Sequence, residues 1–202
     1  MSRADVTHHR VLDAAETLFF REGIAITGMD KVAGTADVAI ATLYKHFGSK
    51  DNLLREVLAR RLDAWVSHWD AAIAAAGSSE RRLLAIFDAV ESFRAASGST
   101  QWCCFLATAS ERAVPEAGTS DPVFEVVGQD SRLVNERLAE LVDELGCPHP
   151  SALVATILVL YNGVLSSLLR GTPTDPVTHA RRAAQLLIRS AADLASTVSS
   201  DR

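Results

Sequence analysis

The sequence predicts an all-α protein of about nine helices, a small N-terminal three-helix domain followed by a larger helical one. Three observations carry that prediction. Apolar residues recur at three- and four-residue spacing along nearly the whole chain. No run of β-branched and aromatic residues alternates with polar ones over several positions. All six prolines lie at or beyond Pro115, so the first 114 residues are interrupted only by glycine. At 202 residues and 48% apolar content the chain can bury a sizeable core and lies outside the disordered and collagen-like ranges.

Taken in order, Val11, Leu12, Ala15, Leu18 and Phe19 share one face of the first helix, and Gly23 follows as its C-cap. Thr27 is the N-cap candidate for a short second helix, with Asp30 three residues on. A third segment, Val38 to His46, ends at Phe47-Gly48. Ser49 caps a long fourth helix, with Asp51 in its first turn. Its stripe of Leu54, Leu58, Leu62, Trp65, Trp69 and Ile73 runs to about Ala76. Gly77-Ser78-Ser79 stops it, and Leu83, Leu84, Phe87 and Val90 mark a fifth helix that closes near Gly98. Thr100 is placed to cap a sixth from Gln101 to about Arg112, ended by Pro115. Asp121-Pro122 is an N-cap followed by proline at the first helical position, and this seventh helix reaches Gly146. An eighth starts near Pro150 and ends at Gly171; the last opens at Asp175-Pro176 and fades into SSDR.

Charge and composition narrow the function. The net charge of −5 argues against wholesale coating of nucleic acid. Residues 1–55 hold seven basic and seven acidic residues, so the remainder carries the whole excess and any DNA contact belongs to the N-terminal quarter. No stretch of about 18 uninterrupted apolar residues predicts a membrane span; Ala152 to Tyr161 reads as a buried core helix. The opening MSRADVTHHR lacks an apolar segment behind its charges, and three cysteines do not make a disulfide framework. A cytoplasmic protein is expected. No G-x-S-x-G, H-E-x-x-H, P-loop or dinucleotide fingerprint is present, so no enzyme and no cofactor is expected.

Residues 23–50 carry the most specific pattern. Two helices of about eight residues, joined by a tight turn at Asp37, have the length and polarity of a helix-turn-helix over about 28–47. Met29, Val32, Ala33, Val38 and Leu43 would hold the pair together. Thr42, Tyr44, Lys45 and His46 remain as outward donors, and Lys50 stands at the start of the following helix.

These residues resemble the TetR family of bacterial transcriptional regulators. The resemblance rests on a helix ending in LFFREG, then TGMDKVA, then ATLYKHFGSKDNLL, about 50 residues in all. It implies a homodimer whose second helix-turn-helix element reads a near-palindromic operator, with an N-terminal DNA-binding domain (1–49) and an effector-binding and dimerisation domain (50–202). By that resemblance Thr42, Tyr44, Lys45, His46 and Lys50 are the DNA contacts, with Thr27 at the start of the preceding helix. It implies a repressor released by a small-molecule effector, hydrophobic in character, from a cavity among helices that carry Trp102, Cys103, Phe105, Phe124, Tyr161 and Asn162. Core packing is the competing reading of those aromatics.

The pattern is broken in three places. Asp37 stands where the turn usually has glycine, and Asp tolerates positive φ better than most residues. Ala39 stands where a polar N-cap is usual, a loss of about 0.5–2 kcal/mol. Ile40 replaces a common polar or basic residue and is suited to a thymine methyl.

Adjacent Cys103-Cys104 do not have metal-ligand spacing, and no metal site is expected; buried cysteine behaves as a small hydrophobe. Glu111-Arg112 is read as a surface pair. Val177, Ala180, Ala184, Leu187, Ala191 and Leu194 follow 3-4-3-4-3 spacing, a seam for helix-on-helix packing. The preceding helix is apolar nearly all round through Leu153, Ile157, Leu160, Val164 and Leu168, so it must be covered on more than one side. Leu160, Val164, Leu168, Ala180, Ala184, Leu187 and Ala191 are accordingly the expected dimer interface. Burial of both helices within one subunit is the alternative.

Overall fold

The structure is a computed structural model that describes residues 3–97, 103–116 and 118–200, with side chains for 4–97, 103–116 and 118–190. Among the described residues there are nine α-helices and no strand. They are α1 (Arg3–Glu22), α2 (Met29–Thr35), α3 (Ile40–Phe47), α4 (Lys50–Ala74), α5 (Ser79–Ala96), α6 (Cys104–Glu111), α7 (Pro122–Asp143), α8 (Pro150–Arg170) and α9 (Pro176–Ser200).

Local chemistry sets most of the boundaries. The Ser49 hydroxyl accepts the Asn52 N–H at 3.1 Å at the start of α4. Asp121 Oδ1 accepts the N–H groups of Val123 at 2.8 Å and Phe124 at 3.2 Å, with Pro122 at the first position of α7. Gly171 ends α8 in the left-handed region at φ 71°. Two boundaries differ from expectation. Gly28, not Thr27, is the N-cap of α2, without a side-chain cap. The sixth helix starts at Cys104, with Cys103 as its N-cap; Thr100, Gln101 and Trp102 lie outside the described residues.

The chain forms two compact units, Met1–Ala64 with Ser97–Asp130, and Trp65–Ala96 with Ser131–Arg202. The division falls within α4 and α7. In the first unit Val11, Leu12, Ala15, Leu18, Phe19 and Phe20 of α1, Met29, Val32 and Ala33 of α2, and Leu43 and Phe47 of α3 are buried. So are Leu54 and Leu58 of α4, on the stripe read from the sequence, together with Leu53 and Val57 beside it.

In the second unit α9 packs against α5 and α8. Trp65 gathers Trp69 and Phe93, both at 5.7 Å between ring centroids, and stacks on Tyr161 at 6.0 Å. The seam of Val177, Ala180 and Ala184 is buried there, and small alanine side chains let α9 come close to its neighbours. Among the described residues one helix, α8, is long and apolar enough to cross a membrane, with a mean hydropathy of 2.0. Its buried residues Leu153, Val154, Ile157, Tyr161, Val164 and Leu165 lie on one side, and it packs on α9. Covering is therefore one-sided: Val159 and Leu169 are exposed on α8, and Leu186 and Leu187 on α9.

Candidate nucleic-acid interface

The turn between α2 and α3 is built from a residue that accepts an unusual backbone. Asp37 sits at φ 50°, the conformation anticipated for a position that usually carries glycine. Arg10 of α1 holds it: its Nη2 donates to the carbonyl of Ala36, to that of Asp37 at 3.0 Å, and to Asp37 Oδ2 at 3.3 Å. Ala39 is the N-cap of α3 in an extended conformation (φ −64°, ψ 139°), with no side-chain cap, so the helix starts with its first N–H groups uncapped by a side chain.

The i, i+4 pair Leu43 and Phe47 turns inward, which fixes the outward face of α3. Ile40, Ala41, Tyr44 and Lys45 are exposed, Tyr44 by 48% and Ile40 by 46%. Thr42 and His46 are half-buried on the flanks. The His46 ring lies 6.0 Å from that of His8, which stacks on Phe47 at 4.7 Å and pairs with Glu56 at 3.0 Å. The four outward donors expected on this segment are thus brought to one helix, two fully outward and two at its edges.

The other two expected contacts are engaged within the protein. Lys50 is half-buried; its Nζ donates to the Ala25 carbonyl at 3.2 Å and lies 6.0 Å from the Phe19 ring. Thr27 is 1% exposed, and its hydroxyl donates to the Gly23 carbonyl at 2.7 Å. That hydroxyl is a tie within the loop before α2 and is turned away from any external partner.

The same loop is tied down by a residue read as half of a surface pair. The Glu111 carboxylate, at the end of α6, accepts the N–H groups of Ile24 at 2.7 Å and Ala25 at 3.1 Å. Gly23, at φ 117°, brings the backbone there without a side chain. Arg112 does not pair with Glu111. It bridges Asp51 at 2.8 Å and Asp121 at 2.9 Å, joining the start of α4 to the cap of α7. Although burial works against ionisation of Asp121, the Arg112 bond and the N–H groups of Phe124 and Val123 hold its carboxyl below the ordinary value.

The residues expected around an effector cavity fall in both units. Cys103 at the head of α6 and Phe124 on α7 are half-buried and Phe105 is buried, all in the first unit. Tyr161, buried, belongs to the second. Asn162 is exposed on α8, so its amide needs no partner inside the chain. Trp102 lies outside the described residues. Burial pushes the Cys103 thiol up to about 12, and Cys104 likewise upward, as befits packing cysteines rather than reactive ones.

One side chain in this region was overlooked in the sequence. Val123, Val126, Val134, Leu138 and Leu141 form the buried stripe of α7, and Asp130 stands four residues from both Val126 and Val134, within that stripe. Burial pushes its carboxyl up to about 7.

With this geometry in view, the comparisons with known proteins are direct. Residues 11–57, from α1 into α4, match the family described as bacterial regulatory proteins, tetR family. Residues 11–57 are thus a tetR-family segment. The HTH-type transcriptional activator FasR of Mycolicibacterium smegmatis is 29% identical over 140 residues, 66% of this chain and 64% of FasR. An HTH-type transcriptional regulator of Staphylococcus aureus strain USA300 is 32% identical over 66 residues, 33% of this chain and 36% of that protein. The chain thus spans less than two thirds of either curated relative. A TetR-family transcriptional regulator from Streptomyces coelicolor shares the fold with a TM-score of 0.79 at 23% identity, over 93% of this chain and 96% of that one. The tetR segment contains Arg10's partners at the turn and the whole outward face of α3, whereas Glu111, Arg112 and Asp130 lie beyond it.

Proposed function

We propose that this chain is a DNA-binding transcriptional regulator of the TetR type, a cytoplasmic homodimer that acts as a repressor and leaves a near-palindromic operator when a small-molecule effector binds. The observation that carries this reading is the outward face of α3. Ile40, Tyr44 and Lys45 stand exposed on a helix of eight residues whose other side is locked into the core by Leu43 and Phe47. Such a helix fits a major groove about 12 Å wide. Tyr44, Lys45, Thr42 and His46 then contact phosphates or base edges, and Ile40 lies against a thymine methyl. Lys50 joins them by leaving the Ala25 carbonyl for a phosphate, since an anion is the stronger acceptor for an ammonium.

The effector acts, in this reading, through α6. Glu111 fixes the loop that leads into α2, and Arg112 fixes the start of α4. A ligand that displaces α6 therefore moves both supports of the helix-turn-helix together. It shifts the population only if it binds the two arrangements with different affinity. Dimerisation is assigned to the uncovered apolar sides of α8 and α9. Of the residues expected there, Leu160 and Leu168 are half-buried and Leu187 is exposed, so they stay in the proposed interface. Val159, Leu169 and Leu186 join them. Val164, Ala180 and Ala184 are removed, because they are buried within the subunit; the side chain of Ala191 lies outside the described residues.

Selection of bound fragments from genomic DNA at about 150 mM salt tests the proposal. Enrichment of a two-fold-symmetric site is the expected result. Weak, salt-sensitive, sequence-independent retention would overturn it and favour a ligand-binding dimer without operator recognition, the reading that the uncapped Ala39 and the apolar Ile40 support. Reporter output from the selected site, with and without the protein, reads the sign of regulation.

A further inference from the structure

The second unit keeps some of its opposite charges apart. Glu136, Glu140 and Asp143 are exposed on α7, and Arg182 and Arg189 are exposed on α9. None of the five has an ion-pair partner among the described residues, whereas two of their sequence neighbours do. Glu144 pairs with Arg82 of α5 at 3.0 Å, and Arg181 pairs with Asp88 of α5. Those pairs fix the roll of α7 and α9. Consecutive residues are turned by about 100° around a helix, so Asp143 and Arg182 are directed elsewhere.

Glu140 and Asp143 border an open groove of about 660 Å³ between α7 and α8, whose lining includes Ala139, Val154, Ala155 and Leu158. An apolar floor beside an acidic edge is complementary to a segment with an apolar centre and basic flanks. Arg182, Leu186 and Arg189 form such a segment, with Leu186 61% exposed between the two arginines. Their spacing of four and three keeps them within about 60° around α9. Glu136, Glu140 and Asp143 have the same spacing on α7, so the acidic and basic edges are each about 10 Å long. Within the subunit α9 packs on α5 and α8, burying Val177, Ala180, Ala184 and Ile188 and leaving the basic stripe on its outer side. The groove also runs into the uncovered side of α8. Ala155, Val159 and Gly163 recur there every four residues, and a Cβ at Gly163 would meet nothing within 4 Å. Small groups on that side let a second backbone come close.

We propose that the groove seats α9 from a second copy of this chain. Arg182 and Arg189 of each copy pair with Glu136, Glu140 and Asp143 of the other, and Leu186 lies on the apolar floor. Two-fold symmetry makes the contact twice. The proposal rests on the homodimer of the regulator reading and names the surfaces that fix its register, the role that complementary charges play at an interface.

Sedimentation equilibrium of two full-length variants at about 150 mM salt tests it. One carries Glu136→Lys, Glu140→Lys and Asp143→Lys; the other carries Arg182→Glu and Arg189→Glu. Each variant alone sets like charges against each other in both contacts, and its dimer is expected to dissociate at least about tenfold more readily than the wild type. Mixed one to one, the variants present opposite charges in both contacts and are expected to form a heterodimer within about threefold of the wild-type affinity. A variant that dimerises as the wild type does, a mixture of folded variants that recovers no heterodimer, or a monomeric wild type would each overturn it. Circular dichroism checks that the variants are folded. The wild-type dimer gives a reading free of substitutions: its dissociation constant should rise severalfold between about 50 and 500 mM salt, and no rise would overturn the charge pairing. If the swap fails in a protein that still dimerises and selects a two-fold-symmetric site, the groove leaves the interface and the regulator reading stands.

Discussion

The outward face of α3 and Asp130 on α7 belong to the same unit, and they hold their polar groups in opposite ways. At α3 the scaffold is internally satisfied: Arg10 answers the turn carbonyls, Leu43 and Phe47 fill the core, and Tyr44 and Lys45 are left over on an exposed surface. At α7 the surplus group lies inside the apolar stripe, as Asp130 among valines. A surface that must meet a large polyanion costs little to keep exposed in water. A carboxyl held among valines costs free energy when ionised, and protonation offsets that cost.

The sharpest way to break this contrast is on the DNA side. Tyr44→Ala is expected to weaken operator binding by roughly 100-fold, because it removes the largest exposed donor of α3. Sedimentation should show the dimer unchanged. Retained affinity in a filter or mobility-shift titration would remove α3 from the groove. On the other side of the contrast, Asp130 should make the protein less stable at high pH. Its folded pKa of about 7 lies above the ordinary 3.8, so the folded state holds a proton that the unfolded chain releases. Stability from this group is full below about pH 4 and is lost as pH rises toward and through 7. Asp130→Asn should therefore stabilise the protein by roughly 1–3 kcal/mol at pH 8, after allowing for solvent screening, and change little at pH 4. Denaturant unfolding at the two pH values measures it; equal effects at both would show that the carboxylate is not buried as described.

Smaller effects sharpen the link between the two regions. Glu111→Ala leaves the N–H groups of Ile24 and Ala25 without their acceptor and should cost about 1–2 kcal/mol in chemical denaturation. If that loop is the connection to α6, the variant also weakens effector-driven release from the operator, measured as the effector concentration for half-release. The smallest effect is expected from Ala39→Ser, which supplies the cap that α3 lacks. It should stabilise the protein by about 0.5–1 kcal/mol, read as a rise in the midpoint of thermal unfolding.

How much of this was legible in the sequence follows from how local each feature is. Ser49, Asp121 and Gly171 announced their helix ends because capping is decided within three or four residues. Asp37 and Ala39 were readable for the same reason. Thr27 was not: whether its hydroxyl caps a helix or ties Gly23 depends on how the loop folds back on itself. Glu111 reaches Ile24 across 87 residues of sequence and Arg112 reaches Asp51 across 61, distances at which no spacing argument applies. The alanine seam of α9 had the right period for close packing, but period alone does not say whether α8 and α5 or a second copy covers it. Asp130 is the instructive case, since its place in the α7 stripe was written in the spacing 123, 126, 130, 134, 138 and needed no structure to be noticed.

The central claim is that two copies of α3 read one operator. Hydroxyl-radical footprinting of the wild-type protein on a selected fragment tests it most directly. The account predicts two protected segments on one face of the duplex, centred about 34–36 Å apart and related by a two-fold axis. A single protected segment, or uniform weak protection along the whole fragment, would contradict it.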